Sequence, residues 1–106
     1  MSWDFHINID AGGEDPITIG DINYTHNCNP MLRDVGIEME DLIGRNAGEV
    51  GGIYKQGLEK LKANPEKYIS MNPPNGWGSY ETLLPVLEEV IKLCERAPKG
   101  TVYISL

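Results

Sequence analysis

The stretch after Ser79 constrains the fold most, because it carries the cleanest helical periodicity in the chain. Its apolar residues recur every three or four positions, which places them on one stripe of an amphipathic helix. The stripe consists of Tyr80, Leu83, Leu84, Leu87, Val90, Ile91 and Cys94. Pro85 lies near the first turns, where the loss of an amide donor is tolerated. The sequence therefore predicts a long helix that starts near Ser79.

Period-two alternation of apolar and polar residues predicts three strands. The apolar positions are Trp3, Phe5, Ile7 and Ile9, then Ile17, Ile19, Ile22 and Tyr24, and finally Val102, Ile104 and Leu106. The second run slips by one residue at Gly20-Asp21, which is typical of a β-bulge. A turn cluster at residues 11–16 separates the first two runs, so they are expected to form an antiparallel hairpin.

Shorter helices are predicted between the second and third strands. Asn29-Pro30 and Asn64-Pro65 each combine a cap residue with a proline at the first helical position, and Gly36 is placed to end the first of these helices. Asn46 and Glu49 resemble a capping box ahead of an amphipathic stripe of Val50, Ile53, Tyr54, Leu58 and Leu61. Residues 38–43 and 66–71 are expected to add short helical segments.

This order of elements predicts the fold class. Amphipathic helices of this number can cover one face of a small antiparallel sheet of about three strands, which is an α+β fold. The 106 residues match one domain spanning 1–106. The opposite, polar face of the sheet would be either solvated or covered by a second subunit.

Charge and composition exclude several functions. The formal net charge is -7, from 9 basic and 16 acidic side chains. Polyanion binding depends on a basic stripe, so a nucleic-acid polymer is not an expected partner. No apolar stretch resembles a signal peptide or a membrane span. Cys28 and Cys94 are the only thiols, which favours a reducing compartment and a cytoplasmic location.

The first polar segment of interest covers residues 23–31 and is called here the asparagine-rich segment. It contains three Asn, a Thr, a His and a Tyr, whose side chains offer hydrogen bonds without a fixed charge. Such groups suit the edge of a base, an amide or a sugar, because a competitor would leave one of them unpaired. The alternative is that these residues serve only turns and caps.

The second segment covers residues 71–81 and is called here the tryptophan bend. A diproline at Pro73-Pro74 precedes Trp77, which has a glycine on either side, and Ser79 leads into the long helix. Glycines let the backbone approach a ligand, and free amides at a helix start favour anions such as phosphate. Trp77 is then either a stacking platform for a planar base or a core residue with Ser79 as a plain cap.

Both segments resemble a group of small phage and prophage proteins. The similarity rests on Asn-Tyr-Thr-x-Asn-x-x-Pro-Met at 23–31 and Asn-Pro-Pro-Asn-Gly-Trp-Gly-x-Tyr-Glu at 72–81, and it runs from about Ile22 to the C-terminus. Small phage proteins of this size class include immune-evasion factors that sequester nucleotide second messengers. The resemblance implies no assured activity, but it favours ligand capture, and it leaves the first strand unmatched.

Other chemistry has weaker support. His26-x-Cys28 lacks the further ligands that a metal site needs, so no metal and no cofactor are expected. His26 with Glu81 could act as acid and base in a small nucleotide hydrolase. A third possibility is a protein-binding inhibitor of a host enzyme that presents the polar sheet face or an acidic helix.

The sequence favours a non-enzymatic protein that captures a nucleotide-derived signalling molecule, working as a homo-oligomer. Arg33 and Arg45 are counted among the candidate ligand-binding residues because they are the cations nearest the two segments and could hold phosphate. The candidate ligand-binding residues are Asn23, Thr25, His26, Asn27, Met31, Arg33, Arg45, Asn75, Trp77, Tyr80 and Glu81.

Overall fold

The computed structural model describes residues 2–106 and has the predicted α+β architecture. Three strands form one antiparallel sheet in the order β2-β1-β3. The strands are β1 (Ser2–Ile9), β2 (Ile17–Thr25) and β3 (Thr101–Ser105). Between β2 and β3 come a 3-10 turn (His26–Cys28) and the helices α1 (Asn29–Asp34), α2 (Met39–Leu42), α3 (Ala47–Ala63), α4 (Pro65–Ile69) and α5 (Tyr80–Arg96).

The sheet buries the face that the alternation predicts. Trp3, Phe5 and Ile7 of β1 are fully buried, whereas the intervening residues Asp4 and His6 are partly exposed on the open face. Phe5 meets Tyr54 of α3 edge to face at 5.8 Å. The core therefore lies between the sheet and the helices, and the open face stays polar.

A β-bulge lies in β2 where the sequence predicts one. Phe5 pairs with Ile22 and Ile7 pairs with Ile19, so β2 holds one residue more than β1 across this step. Gly20 has φ +80, the left-handed conformation that glycine supplies at such a bulge. The extra residue restores the apolar phase, which lets Ile19 and Ile22 face the same layer.

The long helix begins as predicted, with Ser79 as its N-cap. The Ser79 side chain accepts the Thr82 amide and the Thr82 hydroxyl accepts the Ser79 amide, a reciprocal capping box. Asn46 is the N-cap of α3, and its side chain accepts the Glu49 amide. The Glu49 side chain does not return the bond and instead forms an ion pair with Arg45.

One cap prediction is wrong. Asn29 is the first residue of α1 and not its cap, and the cap position is Cys28, which makes no side-chain cap bond. The cause lies upstream, since Thr25 accepts the Asn27 amide and starts a 3-10 turn three residues earlier. Helical backbone is therefore already established at Asn29. Among the described residues the Asn29 Oδ1 atom is buried without a hydrogen-bond partner.

The helices carry no membrane-spanning candidate: within residues 2–106 none has both the length and the apolar character needed to cross a bilayer.

Candidate functional site

The two polar segments lie side by side around an open hollow of about 670 Å³, called here the Trp77 hollow. Its walls come from the first residue of β1, the end of β2, the 3-10 turn and the tryptophan bend. The lining residues are Ser2, Asn23, Tyr24, Thr25, Asn27, Asn75, Trp77 and Gly78. This volume lies within the range of small-molecule sites in proteins, roughly 300–1,000 Å³.

Gly78 is the point at which the tryptophan bend touches the asparagine-rich segment. A Cβ atom on Gly78 would lie 2.5 Å from Thr25 Cγ2, 3.1 Å from the Tyr24 hydroxyl and 3.2 Å from Cys28 Sγ. Its φ of +87 also belongs to the left-handed region that side chains disfavour. Both the close approach and the backbone conformation therefore require glycine here.

Tyr24 fixes the far side of the contact. Its hydroxyl accepts the Ser79 amide at 3.1 Å and lies 2.6 Å from the Thr82 hydroxyl, at the start of α5. Burial raises the pKa of Tyr24, with its bonds to Thr82 and Ser79 opposing that rise. The hydroxyl therefore stays protonated near neutral pH and ties the end of β2 to the start of α5.

Asn27 clamps the bend from the other side. Its Nδ2 group donates to the Trp77 carbonyl at 3.2 Å and to Asn75 Oδ1 at 3.4 Å. Asn75 Oδ1 also accepts the Trp77 backbone amide at 3.0 Å, which closes a turn between Asn75 and Trp77. These bonds engage the Nδ2 group of Asn27 and the Oδ1 atom of Asn75. The bend is thus held in place by side chains of the asparagine-rich segment.

Asn23 forms the wall of the hollow on the open face of the sheet. Its Nδ2 group donates to Asp4 Oδ1 at 2.9 Å and to Ser2 Oγ at 3.0 Å across the β1–β2 ladder. The carboxylate of Asp4 is therefore occupied by an internal partner. Asn23 presents its remaining oxygen without a partner among residues 2–106.

Trp77 is 71% exposed, so the alternative of a core residue is wrong for this side chain. The buried indole of the protein is Trp3, which is fully enclosed and lies 6.2 Å from the Tyr24 ring. Most Trp side chains are largely buried in folded proteins, because burial of a large apolar ring stabilises the fold. Trp77 is held by its backbone in an exposed position, which suits a ring that a ligand covers.

The side chains that line the Trp77 hollow are uncharged, and the neighbouring carboxylate of Asp4 accepts a bond from Asn23. Within the described chain the lining includes no Lys, Arg, His, Asp or Glu side chain. Burial raises the pKa of the neighbouring Cys28 thiol, which stays protonated at neutral pH. The chemistry available to a ligand is therefore amide, hydroxyl and indole.

Two of the first three amides of α5 already have side-chain partners. The Tyr80 amide donates to Asn72 Oδ1 at 2.7 Å, and the Thr82 amide donates to Ser79 Oγ at 3.1 Å. Asn72 acts as a second cap from within the bend. These two amides are therefore not free to bind the phosphate that the sequence predicts at the helix start.

Two predicted ligand contacts are wrong because their side chains point into the core. Met31 is fully buried on the inner side of α1. Tyr80 is also buried, and its hydroxyl donates to the Leu61 carbonyl of α3 at 2.9 Å. Neither residue lines the hollow.

The four charged or titratable candidates also lie outside the lining. Arg33 and Glu81 are exposed on α1 and α5. Arg45 pairs with Glu49 and lines a separate concavity beside α2 and α3. His26 is partly buried, and its Nε2 atom has no hydrogen-bond partner within the described chain. The structure therefore does not bring His26 and Glu81 together as lining residues of the hollow.

Three lining residues were missed at the sequence level. Ser2 joins the hollow through its pairing with Thr25 across the ladder. Tyr24 alternates with the polar residues of β2, so the sequence pattern predicts a core side chain. The sequence suggests that Gly78 lets the backbone approach a ligand, whereas its closest neighbours in the structure are Thr25, Tyr24 and Cys28. Only the strand register, which sequence alone leaves open, would have revealed Ser2.

Comparison of the chain with protein-family models, with curated proteins and with solved structures finds no match.

Proposed function

We propose that this protein binds a small ligand with a planar ring, a nucleotide or a nucleotide-derived signalling molecule, in the Trp77 hollow. The observation that carries the proposal is the 71% exposed Trp77, whose backbone is held by the uncharged amides of Asn27 and Asn75 beside the hollow. A nucleobase has a flat surface that stacks and a polar edge that forms hydrogen bonds. An exposed aromatic ring bordered by neutral hydrogen-bonding groups is complementary to both.

Stacking would supply the affinity. Base–aromatic stacking contributes about 1–3 kcal/mol per base in nucleic-acid-binding proteins. The bend that carries Trp77 is held by Asn27 and, through Ser79, by Tyr24, so little ordering is needed when a ligand arrives. A preformed platform of this kind favours tight capture over turnover.

The resemblance to small phage proteins gives this binding a biological setting. A phage protein that captures a host nucleotide signal would lower the free concentration of that signal by stoichiometric sequestration. In that setting the protein is a ligand sponge in the host cytoplasm, and no catalytic step is required of it.

The first test identifies what the protein carries. The purified protein is denatured, and the released fraction is examined by mass spectrometry. An intact nucleotide or nucleoside, recovered from wild type and absent from Trp77→Ala, supports capture. Tyr103→Ala is the matched control, because Tyr103 is an exposed aromatic on the open sheet face and does not line the hollow.

The second test is a fluorescence titration with cyclic mononucleotides, cyclic dinucleotides and ADP-ribose. Stacking on Trp77 should quench its emission, while Trp3 serves as the buried internal reference. Conversion of an added nucleotide into product would instead support the hydrolase. Neither binding nor conversion across the panel would reject the proposal and favour the protein-binding inhibitor.

The homo-oligomer stays a prediction from chain size. Size-exclusion chromatography with light scattering, run with and without the bound fraction, measures the subunit number. A second copy would be expected to cover the open side of the hollow if the ligand is enclosed between subunits.

A further inference from the structure

We propose that the hollow recognises the nucleobase or nucleoside part of its ligand, and that phosphate groups stay outside and contribute little affinity. This inference rests on the proposed function and narrows the ligand chemistry of the same site. It departs from the sequence expectation, in which Arg33 and Arg45 hold phosphate.

The first argument is the absence of any positive group where a phosphate would have to sit. The described lining contains no cation, and the protein carries a net charge of -7. Desolvating a phosphate against a negative protein requires a paired cation or several donors. Arg45 is engaged with Glu49 in another concavity, so it does not supply one.

The second argument is that four backbone amides around the start of α5 already have partners. Helix N-termini bind phosphate through unpaired amides, but the Tyr80 and Thr82 amides donate to Asn72 and Ser79. The Trp77 and Ser79 amides are likewise bonded, to Asn75 and to Tyr24. An anion at this end of α5 would have to displace side chains that already fit.

The third argument comes from the amide atoms that remain free. Asn27 uses its Nδ2 group for the bend, which leaves its Oδ1 as an acceptor. Asn75 uses its Oδ1, which leaves its Nδ2 as a donor. The two side chains are joined at 3.4 Å, so a free acceptor and a free donor lie on adjacent amides.

An adjacent acceptor and donor complement a ring edge that presents a donor beside an acceptor. The polar edges of nucleobases carry such pairs, whereas a phosphate carries acceptors only. With the base plane against Trp77, its edge would meet Asn27 and Asn75. A ligand lacking this edge would leave one amide group desolvated and unpaired, which disfavours it.

The test compares each nucleoside with its own 5′-monophosphate. Adenosine, guanosine, cytidine and uridine and their monophosphates are titrated by calorimetry at 50 mM and 500 mM NaCl. We expect the tightest nucleoside to bind within threefold of its monophosphate, with a Kd that changes less than threefold between the two salt concentrations.

A designed variant tests the free donor. Asn75→Asp keeps the oxygen that accepts the Trp77 amide and the Asn27 side chain, but it replaces the free donor with a carboxylate oxygen. We expect at least a tenfold loss of nucleoside affinity. Asn64→Asp is the matched control, because Asn64 is exposed, makes no side-chain cap bond and gains the same charge.

The outcomes separate this inference from the proposed function. A monophosphate that binds more than tenfold tighter than its nucleoside, weakened by salt and still lost in Trp77→Ala, overturns the inference and leaves the proposed function standing. Unchanged nucleoside affinity in Asn75→Asp overturns the inference as well. No binding of any nucleoside or monophosphate, with Trp77 emission still quenched by a cyclic dinucleotide or ADP-ribose, overturns the inference alone. No binding across either panel overturns both.

Discussion

Two concave regions of this molecule differ in how their polar groups are used. The groove between α3 and α5, about 360 Å³, has Leu58 and Ile91 among its lining and a rim of Lys and Glu side chains of alternating sign. One pair across it, Lys62 and Glu88, lies at 3.3 Å with both side chains half exposed. In the Trp77 hollow the polar groups are neutral, and they link the end of β2 and the 3-10 turn to the tryptophan bend.

The difference separates a packing seam from a candidate site. In the α3–α5 groove the rim charges are solvated, the backbone is regular helix, and the concavity follows from two cylinders lying side by side. In the Trp77 hollow, side chains of one segment hold the backbone of the other and still have unused hydrogen-bonding atoms. Leftover directional groups beside an exposed ring indicate a ligand, whereas volume alone does not.

The largest expected effect comes from separating the two walls of the hollow. Gly78→Ala places a methyl group 2.5 Å from Thr25 Cγ2. Overpacking of this kind costs about 1–3 kcal/mol of unfolding free energy, in addition to the cost of a side chain at positive φ. We expect ligand affinity to fall by more than tenfold, and chemical denaturation with calorimetry measures both quantities.

Gly76→Ala is the control for that experiment. Gly76 also has a positive φ, +75, but a Cβ atom there would meet nothing within 4 Å. It should lose only the conformational cost, about 1–2 kcal/mol, and keep its affinity. Equal loss of affinity in both variants would mean that the contact at Gly78 does not shape the site.

A smaller effect is expected from Tyr24→Phe. The hydroxyl accepts the Ser79 amide and contacts Thr82, so its removal should lower the unfolding free energy by about 1 kcal/mol. The loss is limited because the Ser79 amide keeps the Thr82 hydroxyl at 3.0 Å. Tyr103→Phe, on the open sheet face, should change the midpoint of urea denaturation by much less.

Changes in the α3–α5 groove should have little effect. Lys62→Ala removes one partner of an exposed ion pair, which contributes about 0–1 kcal/mol. Ligand affinity should stay unchanged in this variant. A loss of affinity in Lys62→Ala, with the hollow variants unaffected, would move the binding site to the groove.

The smallest effect is expected from pH. Among residues 2–106 the only titratable group in the lining is Tyr24, whose pKa is raised above its usual value of 10.0 by burial. Because the proton is held more tightly in the folded state, the hydroxyl stays neutral below pH 9. Nucleoside affinity should therefore be flat between pH 5 and 8 by calorimetry, and a bell-shaped profile in this range would contradict a site with an uncharged lining.

The strands and the long helix could be predicted because their apolar periods are unambiguous. The slip at Gly20-Asp21 is visible in the alternation itself, and the structure places a bulge with one extra residue there. The start of α5 was also predictable from Ser79. In each case a single local pattern decides the backbone and no distant contact competes with it.

The details of the hollow could not be predicted, because they depend on partners far apart in sequence. Asn27 reads as a turn residue, but its amide holds a backbone carbonyl fifty positions away at Trp77. Met31 lies on α1 directly after the 3-10 turn and is fully buried, which the polar segment around it does not reveal. Asn72 caps α5 from eight residues away, a role that no local cap pattern reveals.

The central claim, that a ligand stacks on Trp77 and meets the Asn75 amide, can be tested residue by residue with ¹H–¹⁵N NMR spectra. On addition of the tightest nucleoside, the Trp77 indole N–H and the Asn75 side-chain amide should shift. The Trp3 indole and the Asn64 amide should stay in place, since Trp3 is fully buried and Asn64 does not line the hollow. Saturating shifts confined to α3 and α5, or no shift at Trp77, would contradict the account.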